Sequence, residues 1–167
     1  MLKRLILIAC LVFAATASRA GEAGEIITAA LYSGNLASGI AKLEPLAGAD
    51  QEARFGVGFL RFAGVIEGFA QGLYRHGFAA PDGGPMVGRP LAMPVPTNPN
   101  PEPLTYEKFR ALLQQLVDGL EAARPVLLEA GASGDYVVPV ELLEIHVDID
   151  GNGQVAESES IGAIFAM

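Results

Sequence analysis

Eight of the eleven prolines fall between residues 79 and 103, and this run limits the folds open to the chain more than any other feature. Proline fixes φ near −65° and has no amide hydrogen, so this segment cannot form a helix or a central strand and favours extended polyproline II conformations. Regular structure must therefore form in two stretches, before and after a long loop over residues 79–104. Loops of this length are often functional or disordered, and a binding role for this one is a hypothesis.

Both stretches have the apolar periodicity of helices. Apolar residues recur at spacings of three and four, which places them on one face of a helix. Asp50 and Thr105 are good N-caps, because a side-chain oxygen there accepts a free backbone N–H of the first turn. Pro125 is expected to kink or break the last of these helices. The predicted helices cover residues 25–32, 36–46, 51–76 and 106–130. The chain is thus predicted to be mainly α, a helical bundle-like single domain.

The third predicted helix combines large apolar residues with glycines. Its predicted buried face holds Phe55, Phe59, Phe62, Ile66, Phe69 and Leu73, and a second face holds Gly64, Gly68 and Gly72. Each glycine inside a helix costs about 1 kcal/mol relative to alanine, so close approach of another helix is expected in return. Arg61 and Glu67 argue against the membrane-embedded helix pairs that such glycine rows also form. An aromatic-walled pocket for an apolar ligand is the alternative.

The first twenty residues are typical of a secretory signal peptide. Basic residues at positions 3 and 4 precede an apolar run over residues 5–15, and small residues form candidate cleavage sites at Ala17 and Ala20. The apolar run has about 11 residues, whereas a membrane span needs about 20. We therefore expect cleavage near Ala20 and a periplasmic or secreted mature protein with no membrane attachment.

Cleavage near Ala20 leaves an acidic chain without cysteine. It removes three of the eleven basic residues, none of the 19 acidic residues, and Cys10, so that the formal net charge falls from −8 to −11. Disulfides, thiol nucleophiles and iron–sulfur sites are then excluded. Phosphate binding needs clustered Lys and Arg, so the charge argues against nucleic acid and anionic membranes as partners. It favours divalent cations or basic proteins.

Oxygen-bearing side chains recur at a regular spacing near the C-terminus. Numbered from Asp148 as position 1, they fall at positions 1, 3, 5 and 12, on Asp148, Asp150, Asn152 and Glu159. A glycine at position 6 permits a sharp turn at positive φ, and Gln154 at position 7 offers its backbone carbonyl. Calcium takes six to eight oxygens at roughly 2.3–2.6 Å, and a glutamate at position 12 can supply both of its oxygens. The spacing therefore predicts a Ca²⁺ site formed by these five residues.

This stretch resembles the loop of EF-hand calcium-binding proteins, and the resemblance covers the loop and a short helix expected from about Glu157 to Ala166. EF-hands usually occur in pairs, but the sequence holds no second loop of this spacing. The residues before the loop also depart from the helix that the resemblance implies. They are rich in β-branched side chains and include Pro139, and residues 144–150 alternate with period 2. An extended or strand-like entry is therefore expected, with a single helical turn over residues 140–145 as the alternative.

The division of the chain follows from these features. It consists of a signal peptide, N-terminal helices, the proline-rich loop, a helical region and an EF-hand-like segment, over residues 1–20, 21–78, 79–104, 105–134 and 135–167. No catalytic residue is assigned, since His76 and His146 lie seventy positions apart and no serine elbow or zinc motif occurs. An enzymatic activity therefore has little support in the sequence.

The function expected is that of an exported calcium-binding protein in which the ion has a mainly structural role. It would neutralise Asp148, Asp150 and Glu159 and pin the C-terminal helix onto the helical core. One alternative is a module whose surface is ordered by calcium for a protein or peptide partner. A less favoured one is an apolar-ligand carrier or an enzyme that uses the Phe- and Gly-rich helix as a pocket wall.

Overall fold

The computed structural model describes residues 21–78, 97–131, 134 and 136–166. The helices in these ranges are α1 (Glu22–Ser33), α2 (Leu36–Leu43), α3 (Gln51–Arg75), α4 (Tyr106–Ala130) and α5 (Ile161–Ala166), with 3₁₀ turns at Leu142–Glu144 and Glu157–Glu159. The prediction of a mainly helical protein is confirmed. The predicted signal peptide and most of the proline-rich loop lie outside the described residues.

Local capping explains where the helices begin. The side chain of Asp50 accepts the backbone N–H of Glu52 at 2.9 Å, and Thr105 accepts that of Lys108 at 3.3 Å. Both predicted N-caps are therefore confirmed, and each satisfies a donor that has no partner inside its helix. Gly34, with φ of 66°, ends α1 in the left-handed conformation that favours glycine.

Helix α3 lies at the centre, with α1 and α2 against one side and α4 against another. The largest fully buried side chains among the described residues come from α1, α2 and α3 itself: Ile27, Leu31, Leu43, Leu60 and Leu73. A second cluster joins the C-terminal half of α3 to α4 and to the C-terminal segment, through Phe69, Leu73, Leu112, Ile149 and Ile164. The C-terminal segment is thus packed against the same helix that organises the N-terminal half of the chain.

The predicted buried face of α3 is only partly right. Phe69 and Leu73 are buried, but Phe62 and Ile66 are each 38% exposed. The buried residues of α3 that pack with α1 and α2 are instead Ala53, Val57 and Leu60. Ala53 and Val57 are small, which lets the two short helices approach closely, whereas Phe62 and Ile66 lie on the flank of α3.

Glycines do permit close helix approach on α3, although not at all of the predicted positions. A Cβ on Gly58 would lie 2.9 Å from Leu127 Cδ2 and 3.1 Å from the backbone nitrogen of Leu127, and a Cβ on Gly72 would collide with Leu112. At Gly68 a Cβ would meet nothing within 4 Å. The row therefore serves packing against α4 at some positions only.

Within the described residues, no helix combines the length and apolar character that a bilayer crossing requires.

Helix α4 continues through Pro125, so the predicted break is wrong. Proline removes the bond that its amide would donate to the carbonyl four residues earlier, here that of Glu121. Both residues are exposed, so water can solvate this carbonyl, and burial of Ala123 and Ala130 holds the helix on either side.

The segment before the loop is extended and includes one 3₁₀ turn, so both predicted descriptions of it apply in part. In the described ranges it forms no strand, and the predicted strand over residues 144–150 is reduced to a single antiparallel bridge between His146 and Ser160. Only a few residues on either side of the loop run next to one another, which is too little for a ladder. The final helix begins at Ile161, later than predicted, because residues 157–159 form a separate 3₁₀ turn.

The two alanine substitutions Gly58→Ala and Gly68→Ala should separate packing from helix propensity. Both remove an interior glycine of α3 and gain about 1 kcal/mol of propensity. Gly58→Ala also forces α4 away at Leu127, and such overpacking costs about 1–3 kcal/mol. In urea unfolding, we expect Gly68→Ala to be more stable than Gly58→Ala by that amount. Equal stabilities would contradict the close approach of α4 at Gly58.

Candidate metal site

The base of the loop is closed by backbone hydrogen bonds between its two ends. The Val147 N–H donates to the Glu159 carbonyl at 3.0 Å, and the Ile161 N–H donates to the Ile145 carbonyl at 2.8 Å. These bonds flank the bridge between His146 and Ser160. The residues between them are therefore held as one closed loop whose first and last acids lie side by side.

The carboxylate of Asp148 organises the turn of the loop. Its Oδ1 accepts the N–H groups of Gly151 at 2.9 Å and Asn152 at 3.2 Å, and its Oδ2 accepts that of Gly153 at 2.9 Å. Gly151 and Gly153 have φ of 73° and 77°, so the chain turns sharply at both. The positive φ predicted at Gly153 is confirmed. The turn wraps position 6 of the loop back onto position 1.

Glu159, the last residue of the loop and of the 3₁₀ turn at Glu157–Glu159, points its carboxylate into the loop. Its Oε1 accepts the N–H of Ile149 at 2.9 Å and that of Asp150 at 3.4 Å, and its Oε2 accepts that of Ala156 at 2.8 Å. Position 12 is therefore tied to residues near the start of the loop and near its end. The side chain is buried, with 7% of its surface exposed.

Three of the five predicted ligands offer carboxylate oxygens at one point. Single oxygens of Asp148, Asp150 and Glu159 all lie within 4.8 Å of one another. Two oxygens bound to one calcium ion at roughly 2.3–2.6 Å can be at most about 5.2 Å apart. The separation therefore fits a shared ion of this size, and carboxylate oxygens are the donors that calcium prefers.

The other two predicted ligands, Asn152 and Gln154, would offer an amide oxygen and a backbone carbonyl rather than carboxylate oxygens. The Asn152 amide nitrogen donates to Asp150 Oδ2 at 2.7 Å, and its Oδ1 accepts the N–H of Gln154 at 2.6 Å. Asn152 therefore lies against Asp150, with its oxygen turned toward the backbone of the next residues. Gln154 is exposed, and its backbone N–H takes part in the turn.

The acids of the loop have no cationic partner in the described part of the chain. The ion pairs there join Arg61 to Glu44 and Lys108 to Glu102, both at the surface and away from the loop. Asp148 and Glu159 are nevertheless 9% and 7% exposed. Buried carboxylates normally need a paired cation or a coordinated metal, because hydrogen bonds from neutral groups leave the charge uncompensated.

Helix α3 adds two polar side chains that were not assigned to the site from the sequence. Glu67 Oε2 accepts the N–H of Asp148 at 3.2 Å, and Gln71 Nε2 donates to the Asp148 carbonyl at 2.7 Å. Burial raises the pKa of Glu67 from its ordinary value of 4.5 to about 7. The hydrogen bond from Asp148 opposes this rise, and the charges of Asp148 and Glu159 add to it.

A sequence signal for Glu67 did exist. It is an acid within a helix otherwise rich in Phe, Gly and Ala, and such a residue needs a polar surrounding when its helix is packed. Its partner at position 148 lies 81 residues away, so nothing in the spacing indicates the pair. Gln71 carries no comparable signal.

His146 lies beside the loop and outside the cluster of carboxylates. Its Nδ1 is 2.9 Å from the Glu144 carbonyl, and its backbone N–H donates to the Leu31 carbonyl near the end of α1 at 3.0 Å. His76 likewise has a structural setting, with Nδ1 3.1 Å from the Glu102 carbonyl at the end of α3. In the contacts of the described residues, neither histidine approaches a nucleophile or the carboxylate cluster of Asp148, Asp150 and Glu159.

The phenylalanines proposed as a pocket wall are packed among themselves at one end. The rings of Phe55 and Phe59 stack at 5.6 Å between centroids, and Tyr136 lies 5.4 Å from Phe55. At the other end, Phe69 lines an open groove of about 150 Å³ between α3 and α4. A larger open groove of about 570 Å³ lies between α2, α3 and α4 and is lined by other residues of α3.

Comparisons of the chain with known protein families, with curated proteins and with solved structures found no match. The likeness to EF-hand proteins therefore remains a resemblance of the loop at residues 148–159.

The charge of Glu67 predicts a pH effect in the metal-free protein. Its folded pKa of about 7 lies above its ordinary value of 4.5, so the folded state binds the proton more tightly than the unfolded state. This group therefore contributes stability at low pH that is lost as pH rises from about 4.5 to 7. Glu67→Gln keeps an acceptor for the Asp148 N–H and removes the charge. In chelator, we expect the free energy of unfolding to fall more for wild type than for Glu67→Gln over that range.

The matched control for this pH series is Glu121→Gln, which removes an exposed acid of α4. If the free energy of unfolding varied with pH in the same way for wild type and Glu67→Gln, burial would not disfavour the charged form of Glu67.

Proposed function

We propose that this is an exported calcium-binding protein whose loop at residues 148–159 holds one Ca²⁺ ion with a structural role. Asp148, Asp150 and Glu159 supply carboxylate oxygens, Asn152 a side-chain oxygen and Gln154 a backbone carbonyl. In this proposal, Asn152 turns its Oδ1 toward the ion, which requires rotation of its amide away from Asp150. Export is proposed from the N-terminal sequence alone.

The observation that carries the proposal is the meeting of three carboxylates, two of them buried, with no cationic partner among the residues that the structure describes. Their oxygens lie within 4.8 Å of one another. Like charges at such distances repel, and the repulsion is stronger when the groups are shielded from water. A site of this kind favours a divalent cation of calcium's size and oxygen preference.

A bound calcium ion supplies two positive charges that offset these carboxylates. The effect on the protein follows from what Glu159 and Asp148 connect. Glu159 lies two residues before the first residue of α5, and the backbone of Asp148 is hydrogen-bonded to side chains of α3. When the two carboxylates are drawn to one point, α5 and the segment before the loop are held against the helical core.

The affinity required for this role is modest. Calcium sites in extracellular proteins often bind with dissociation constants of about 10⁻⁴–10⁻³ M, and calcium outside the cytosol keeps such sites filled. A ligand that binds only the folded state at a hundredfold excess over its dissociation constant stabilises that state by about 2.7 kcal/mol.

Calcium titration of residues 21–167 by calorimetry, with melting curves in calcium and in chelator, tests the proposal. We expect one ion per chain and a higher melting temperature in calcium. Glu159→Gln should lower the calcium affinity by tenfold or more, because it removes the charge and one of the two oxygens at position 12. Its melting temperature should then respond little to calcium.

Glu157→Gln is the matched control, since it changes a neighbouring exposed glutamate by the same single atom. It should retain binding and the thermal response. Failure of wild type to bind in millimolar calcium, or equal loss of binding in the two variants, would refute the assignment of the loop.

Exposed apolar residues favour a second candidate, a calcium-ordered surface for a protein partner. Leu142 and Leu143 are each 61% exposed and Phe165 is 65% exposed, all in the segment that contains the loop. Calcium binding without a change in melting temperature would favour this candidate over the structural role.

A further inference from the structure

Two side chains of α3 hold the backbone of the first residue of the loop from both sides. Gln71 Nε2 donates to the Asp148 carbonyl at 2.7 Å, and Glu67 Oε2 accepts the Asp148 N–H at 3.2 Å. The two residues are four positions apart and therefore lie on the same face of the helix. We call this pair of residues the α3 clamp. It satisfies the backbone donor and the backbone acceptor of Asp148 and leaves its carboxylate facing the loop.

The clamp also supports the turn of the loop. Gln71 is the nearest neighbour outside the loop to Gly151, where an added Cβ would lie 3.6 Å from its side-chain Cδ. Gly151 in turn donates its N–H to the Asp148 carboxylate. The Gln71 side chain is therefore hydrogen-bonded to the backbone of the first ligand and lies beside the turn that is folded around it.

A second contact holds the far side of the loop. Val155, at position 8, packs directly on Gly34 in the turn between α1 and α2, so closely that a Cβ on Gly34 would collide with it. The entering chain is held nearby, because the His146 N–H donates to the Leu31 carbonyl of α1. The loop is thus supported at position 1 by α3 and at position 8 by the turn after α1.

We propose that this support organises the calcium loop before the ion binds, with Gln71 and Glu67 as positioning residues for Asp148. The inference rests on the proposed function, since it concerns the strength of calcium binding at the same loop. A free loop loses conformational entropy in every residue that the ion orders, and this loss weakens binding. The α3 clamp fixes the backbone of Asp148 in the folded protein, so the ion has fewer residues to order.

Gln71 is the residue that tests the inference cleanly, because it is uncharged and cannot attract the ion over distance. Gln71→Met keeps the length and helix propensity of the side chain and removes its donor. Loss of one hydrogen bond of ordinary net strength corresponds to about a three- to tenfold change in an equilibrium constant. We therefore expect calcium affinity, measured by calorimetry, to fall by about three- to tenfold in Gln71→Met.

Gln114→Met is the matched control. Gln114 donates to Asp118 at 2.7 Å on the exposed surface of α4, so its substitution removes a side-chain hydrogen bond of the same length without touching the loop. It should leave calcium affinity unchanged. Val155→Ala is the second variant, and it should weaken calcium binding in the same direction by removing the contact with Gly34.

Hydrogen exchange in chelator provides a measurement that does not depend on calcium. The amides of Gly151, Asn152 and Gly153 donate to the Asp148 carboxylate, so their exchange reports on the order of the metal-free loop. In Gln71→Met we expect these amides to exchange about three- to tenfold faster, with the core amides of α1 and α3 unchanged. A general loss of stability would instead accelerate exchange in both regions.

The outcomes separate this inference from the proposed function. If wild type binds calcium and Gln71→Met binds it equally well, with unchanged exchange of the loop amides, the clamp does not organise the loop and the proposed function stands. If wild type does not bind calcium, the proposed function fails, and the clamp as a determinant of calcium affinity falls with it. A calcium-dependent dimer abolished by Val155→Ala would also overturn the inference, because position 8 would then be supported by a second copy.

Discussion

The burial of two neighbouring carboxylates, those of Asp148 and Glu159, is the constraint on which the C-terminal third of the protein depends. Each is surrounded by backbone N–H groups that donate to it, and these bonds set the turns at Gly151 and Gly153. Hydrogen bonds from neutral groups do not cancel the charge of two acids at close range. A cation at this point would therefore act on the arrangement of the whole segment, since α5 begins two residues after Glu159.

Helix α3 connects this segment to the rest of the chain by carrying different chemistry on different faces. Its small residues admit α1 and α2, its glycines admit α4 at Gly58 and Gly72, and its polar pair at positions 67 and 71 receives the loop. The glycines cost helix stability locally, and the close packing offsets that cost. The charged form of Glu67 is disfavoured in this position, because burial and the two loop acids both raise its pKa.

Much of the helical structure and part of the candidate site were predictable. The helix starts at Asp50 and Thr105 followed from local capping, and the cluster of Asp148, Asp150 and Glu159 matches acids identified by their spacing. The buried face of α3 was predicted only in part: Phe69 and Leu73 are buried, but the bulky Phe62 and Ile66 are exposed. The continuous α4 was missed because the exposure of Pro125 depends on what packs around it. The strand-like entry was overestimated, since alternation indicates an extended chain but does not supply a partner.

The sequence by itself determined the features that depend on residues close together along the chain. These are the helices, their caps, the glycine turns and the order of acids around the loop. These depend on side chains within a few positions of one another, so their spacing is enough to encode them. The tertiary structure alone decided which face of α3 is buried and which groups hold the loop. Gln71 and the Asp148 carbonyl are 77 residues apart, and Val155 meets the turn after α1. Such contacts follow from how the helices pack, because no local pattern records which distant backbone group a side chain will reach.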